Sequence, residues 1–147
     1  MSYIPRDAEW YLAEIVMEIT IQGDARNVVH VNTTLVRADS PDDAYHRALE
    51  LGERGETAYE NSHGKTVEIR FRGLRSLEVI YEPLEHGAEL TFSERIAVHE
   101  EELAKLITSK EQLEVFQPIR PSRGPDYGSR EIREEAIRML RRDNNSP

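Results

Sequence analysis

The chain has 147 residues, enough for one ordinary domain with room for an appendage. Its 19 Lys and Arg stand against 28 Asp and Glu, a formal charge of −9, which argues against a protein that coats nucleic acid generically. With no Cys, it has no disulfide framework, no thiolate metal site and no Cys nucleophile.

The opening MSYIPRDAEW has neither a basic n-region nor an apolar h-region, so no secretory signal is expected there. No apolar run approaches the roughly 20 residues a membrane span requires. A cytoplasmic setting is the expectation.

From Trp10 to Ile21 the odd positions Tyr11, Ala13, Ile15, Met17, Ile19 and Ile21 are all apolar. Period two over that length reads as a strand with one buried face. Leu12 and Val16 add apolar character to the second face, which suggests a central strand or one partly covered on its second side. Residues 22–27 carry turn chemistry, and Val28 to Val36 reads as a second, Val- and Thr-rich strand. An antiparallel hairpin is the default for such a short connection.

Ser40-Pro41-Asp42-Asp43 is a helix start: a hydroxyl to accept backbone N–H bonds, Pro at the first turn, and negative charge at the positive end of the dipole. Ala44, Ala48 and Leu51, with Tyr45 and Leu49, fall at helical spacing, and Gly52 and Gly55 are the candidate stops. A polar stretch, 57–64, is expected to lead back to strand structure.

Val67, Ile69 and Phe71 alternate with Glu68, Arg70 and Arg72; Gly73 interrupts; Leu77, Val79 and Tyr81 resume. A glycine inside a strand pattern signals a bulge or bend, so 65–82 is one kinked strand or two. After a turn at 83–87, alternation from Ala88 to Ile96 predicts a final strand antiparallel to its predecessor. From His99 the period becomes helical, with Leu103, Leu106 and Ile107 as the stripe and Glu100 to Glu102 in the first turn. Ser109 is read as the cap of a further short turn.

Residues 1–116 thus read as an α+β domain of order β-β-α-β-β(-β)-α, an antiparallel sheet of four to five strands with helices on one face. Residues 117–128 hold three of the seven Pro and two of the eight Gly and read as an extended linker. Residues 129–147 read as a capped amphipathic helix with an apolar stripe of Ile132, Ala136, Met139 and Leu140, then a frayed end. Split at 116, the net charge is −11 for the body, with 12 basic and 23 acidic residues. The remainder is +2, with seven Arg against five acids.

No phosphate-cradling glycine loop, nucleophile elbow or HExxH spacing occurs, and the five histidines (30, 46, 63, 86 and 99) show no metal-ligand spacing. No catalytic residue, metal or cofactor is therefore expected. Arg70, Arg72 and Arg75, near Lys65, form the one basic cluster of the body, with Glu68 and Glu78 as natural cross-strand partners. Glu14 and Glu18 share one strand face.

The WYLAEIVMEI opening, the ADSPDDAYHRALELG helix start and the RFRGLRSLEVIYEPLEHGAEL stretch together resemble a family of bacterial domains known as domain of unknown function 4288, over about residues 9–95. The resemblance implies a bacterial source and a compact α+β domain, and it transfers no catalytic residues.

A non-enzymatic binding or assembly module is the expectation. It would self-associate or take a protein partner, and its basic tail helix would dock through Ile132, Ala136, Met139 and Leu140 on its own or a partner's acidic body. The alternative is a small-molecule-binding protein or enzyme with a pocket between sheet and helices. Glu14, His30, Arg70, Arg72 and Arg75 are the candidate ligand-binding residues. Nucleic acid and membrane are not expected as partners.

Overall fold

A computed structural model of the chain describes residues 7–119 and 124–129. Four strands form one antiparallel sheet: β1 (Trp10–Ile21), β2 (Val28–Arg37), β3 (Thr57–Glu60) and β4 (Thr66–Val79), in the order β2-β1-β4-β3. The architecture is α+β. The doubly apolar first half of β1 fits its central place, between β2 and β4.

Helix α1 (Pro41–Arg54) begins as the sequence dictates: the Ser40 hydroxyl accepts from the Asp43 N–H, with Pro41 in the first turn. It ends at Gly55 rather than Gly52. The buried stripe is Ala44, Ala48 and Gly52, while Tyr45 is exposed. Small residues let the helix axis approach the sheet closely. A Cβ at Gly52 would sit 2.4 Å from the Phe71 ring. Under α1 lie Tyr11, Ala13, Ile15, Met17, Val36 and Ala38, with Leu74, Leu77 and Val79 of β4 against them.

Residues 66–79 form a single strand that carries two β-bulges. Met17 pairs with Phe71 but Val16 with Gly73, and Ile15 pairs with Leu74 but Glu14 with Ser76. Arg72 and Arg75 are the two extra residues. The first bulge shifts the side-chain parity and the second restores it, so Phe71, Leu74 and Leu77 all join the covered face. Gly73 takes φ 142°, a conformation that side chains resist.

Two expectations are corrected. The polar stretch after α1 contains strand β3, which pairs with β4 from Thr57↔Ile69 to Glu60↔Thr66. Residues 88–96 form no strand despite their alternation. Strand β3 takes only the Thr66–Ile69 part of the second edge of β4. The Thr91 hydroxyl reaches Glu78 at 2.6 Å, but the backbone of 88–96 makes no ladder there. Period two sets side-chain faces and does not by itself pair a backbone.

Chain contacts divide the protein into two compact units, one running to Thr91 and resuming at Gly124, the other starting at Phe92. The second unit contains helix α2 (Glu100–Leu106) and two short 3-10 turns, Lys110–Gln112 and Glu114–Phe116. Helix α2 buries none of its residues, and Ser109 makes no side-chain cap bond. Among the described residues no helix is long and apolar enough to cross a membrane. The tail stripe of Ile132, Ala136, Met139 and Leu140 lies outside the described residues.

Candidate functional site

The covered face of the sheet has two covers. Helix α1 lies over the Tyr11–Met17 half. The other half, Ile19, Ile21 and Val67, is packed by Val28, Tyr59, Ile69 and Tyr127. Tyr127 belongs to a strap, residues 124–129, drawn from the segment whose sequence reads as a linker. Pro125 of that strap is buried.

The strap is anchored on the β3–β4 hairpin. The Tyr59 hydroxyl donates to the Tyr127 carbonyl, the Asn61 side-chain amide donates to the Asp126 carbonyl at 3.0 Å, and the Ser62 hydroxyl donates to Asp126 Oδ2 at 2.9 Å. Ser129 forms an antiparallel bridge with Asn61. Burial, with Tyr127 and the Asp126 charge beside it, raises the pKa of the Tyr59 hydroxyl above the ordinary tyrosine value, which keeps it a donor. At the opposite side of the sheet the Tyr127 ring meets His30 of β2 edge-on, 5.3 Å between centroids.

Between the two covers lies a cleft of about 310 Å³. Ile15, Met17, Ile19 and Ile69 make its floor, and Leu51 and Gly55 at the end of α1 make one wall. The other wall is β2, through His30, Asn32 and Thr34. These three stand opposite Met17, Ile15 and Ala13 in the ladder, so they share the covered face. No Asp, Glu, Lys or Arg is among the lining residues.

The outward face of the same strand carries three exposed apolar residues, with Thr33 among them. Val29, Val31 and Leu35 are 52%, 39% and 44% exposed, opposite Glu18, Val16 and Leu12 of β1. β2 thus turns the half-buried His30 and Thr34 and the exposed Asn32 toward the cleft, and Val29, Val31, Thr33 and Leu35 outward. A one-residue slip would exchange the faces, but Val36, 2% exposed opposite Tyr11, holds the register.

The sequence-predicted ligand residues divide between the two faces. His30 lines the cleft. Glu14 is on the outward face and accepts from the Ser76 hydroxyl at 2.7 Å. Arg70 approaches Glu68 at 3.9 Å and Arg72 approaches Glu18 at 3.8 Å. Glu18 also accepts from the Asn27 amide at 2.8 Å. Arg75 is the extra residue of the second bulge. The sheet thus separates His30 from the Glu14 side, and no acid–base pair forms between them.

Sequence reasoning missed Asn32, Thr34 and the strap. The signal was present as the alternation of Val29, Val31 and Leu35 with His30, Asn32 and Thr34, which fixes two faces but not which one is covered. A second groove, about 340 Å³, runs past Arg37, Arg47 and Arg54. Two of its arginines are engaged within the protein: Arg37 with Glu9 at 3.5 Å and over the Trp10 ring, Arg47 with Asp43 at 3.1 Å. Among the described residues no group of three His, Asp or Glu side chains is placed to hold a metal ion.

A family model described as "Domain of unknown function (DUF4288)" matches residues 10–92, a span that holds all four strands and α1. No curated protein and no solved structure matches the chain.

Proposed function

The chain belongs to the DUF4288 family, and from that premise we propose that it is a non-enzymatic binding and assembly module that self-associates through the outward face of its sheet. The observation that carries this reading is the set of Val29, Val31 and Leu35, three large apolar side chains left in the open on the outward face of β2. Exposed apolar rows rimmed by polar residues mark interaction surfaces.

A second copy is the occupant that fits. The same face carries both signs of charge in adjacent strands, Glu14 and Glu18 on β1 and Arg70 and Arg72 on β4. Two copies related by a twofold axis bring each row within reach of its opposite, around an apolar centre. The strand between Val28 and Val36 contains no Lys, Pro, Asp or Glu, the residues that ordinarily protect an edge from association.

Docking of the basic tail is the second element of the proposal. The strap delivers the chain to Ser129 beside Asn61, and the apolar stripe Ile132, Ala136, Met139 and Leu140 starts three residues later. The opposed charges of tail and body support its docking on the acidic body, its own or a partner's. A cytoplasmic setting is part of the same proposal.

Light scattering on the full chain and on Val31→Lys tests the first element. A dimer mass that reverts to the monomer in the variant, with an unchanged melting temperature, supports it. A monomer at all concentrations refutes it. For the tail, the informative truncation ends at Ser129, because a cut at Phe116 also removes Tyr127 from the core and destabilises the sheet on its own account.

A further inference from the structure

On the face of the sheet that α1 covers in part, β2 presents His30, Asn32 and Thr34 in succession to the cleft, Asn32 exposed and the other two half-buried. Alternate residues of a strand stand about 6.6–6.8 Å apart, so the three form a ladder of polar groups along one wall. Apart from the Thr34 hydroxyl, which donates weakly to the Asn32 carbonyl at 3.4 Å, no hydrogen bond engages these side chains among the described residues. The His30 contact is the ring of Tyr127.

From this arrangement we infer that the cleft between β2 and the end of α1 binds a neutral, planar nitrogen heterocycle of nucleobase size. Its faces rest on Ile15, Met17 and Ile19, and its hydrogen-bonding edge meets His30, Asn32 and Thr34. The volume, about 310 Å³, is at the lower limit of small-molecule clefts, which admits one ring system and little else.

The floor is aliphatic on a scale that suits a ring face. The Asn32 amide offers a donor and an acceptor side by side, the pattern that pairs with a ring nitrogen and its exocyclic neighbour. The lining holds no Asp, Glu, Lys or Arg, so a phosphate or carboxylate in the cleft meets no fixed charge there, whereas a neutral ligand needs none. The nearest arginine-bearing groove has Arg37 and Arg47 already tied to Glu9 and Asp43.

The inference is independent of self-association, because the cleft and the Val29–Leu35 row are on opposite faces of the sheet. Occupancy of the cleft holds β2 against the end of α1, so it stiffens the strand from which the outward row projects.

Methyl-detected NMR of the full chain, titrated with adenine, hypoxanthine and uracil and separately with AMP, tests the inference. At least one base is expected to shift the methyl resonances of Ile15, Met17 and Ile19 saturably while those of Val29 and Val31 stay still, and AMP is expected to bind more weakly than adenine. Asn32 is exposed, so Asn32→Leu changes the cleft wall without opening a cavity; it is expected to fold with about the wild-type melting temperature and to weaken the base about tenfold or more. Thr34→Val is the second variant, expected to weaken the same base in the same direction. If no base moves the floor methyl groups up to its solubility limit, if AMP binds as well as adenine, or if both folded variants bind as the wild type does, the inference is overturned.

Discussion

The ring of His30 stands edge-on to the ring of Tyr127, 81° between their planes, and joins the β2 edge of the sheet to a strap whose other anchors are on the β3–β4 hairpin. A segment ninety-seven positions later in the chain is thereby tied across all four strands. It closes the half of the core that α1 does not reach. The contact also bounds the cleft, because His30 serves both the strap and the cleft wall.

Truncation at that contact tests its weight. Tyr127→Ala removes the ring from over Ile19, Ile21 and Val67 and is expected to lower stability by about 1–3 kcal/mol in urea unfolding. Amide exchange at those three residues is expected to speed up, while that of Ala44 and Ala48 under α1 changes only with global stability. An unchanged unfolding midpoint contradicts the role given to the strap.

At the start of α1, Ser40→Ala leaves the Asp43 N–H without its acceptor. The expected loss is about 1 kcal/mol, read as a lower midpoint in thermal or urea unfolding. Ser40→Asp restores an acceptor and is expected to recover most of it.

Gly52→Ala sets two effects against each other. Alanine gains about 1 kcal/mol of helix propensity, while its Cβ would stand 2.4 Å from the Phe71 ring, an overpacking that costs about 1–3 kcal/mol. The ring must shift out of the core, so the net expectation is a loss. A rise in melting temperature shows that α1 does not sit this close to β4.

Acid dependence follows from the helix start. The Asp39 N–H bond, and after it the Arg47 guanidinium, hold the Asp43 carboxyl below the usual carboxylate range. A group with a lower folded pKa binds its proton less readily in the native state. Its stabilising effect is complete above the unfolded value near 3.9, roughly, and is lost as the pH falls through the folded one. Below about pH 4 the wild type is expected to lose stability faster than Asp43→Asn, which keeps the acceptor but not the charge. Parallel acid limbs for the two proteins refute the assignment.

Much of the fold is legible in the sequence because the signals are local. The β1–β2 hairpin follows from period two around a polar turn, and α1 from Ser40 and the acids behind it. Strand β3 escapes because four residues with one half-buried side chain, Tyr59, have no period to read. Residues 88–96 mislead for the opposite reason: their alternation is clear, but it describes side-chain faces, and the segment makes no backbone ladder even though β3 pairs with β4 only as far as Ile69.

The cleft is the least legible part. Its polar wall is a plain strand in sequence, and only the register against Met17, Ile15 and Ala13 tells which face of β2 is covered. The strap lies beyond pattern reading, since Pro125 and Tyr127 pack without joining a ladder.

The exposed Val29, Val31 and Leu35 of β2 carry the proposed self-association, and their methyl resonances followed against protein concentration test it most directly. Self-association on the outward face predicts that these three shift together as concentration rises, while Ile15, Met17 and Ile19 hold their positions. Spectra that stay the same over the whole concentration range, or shifts confined to the cleft floor, contradict it.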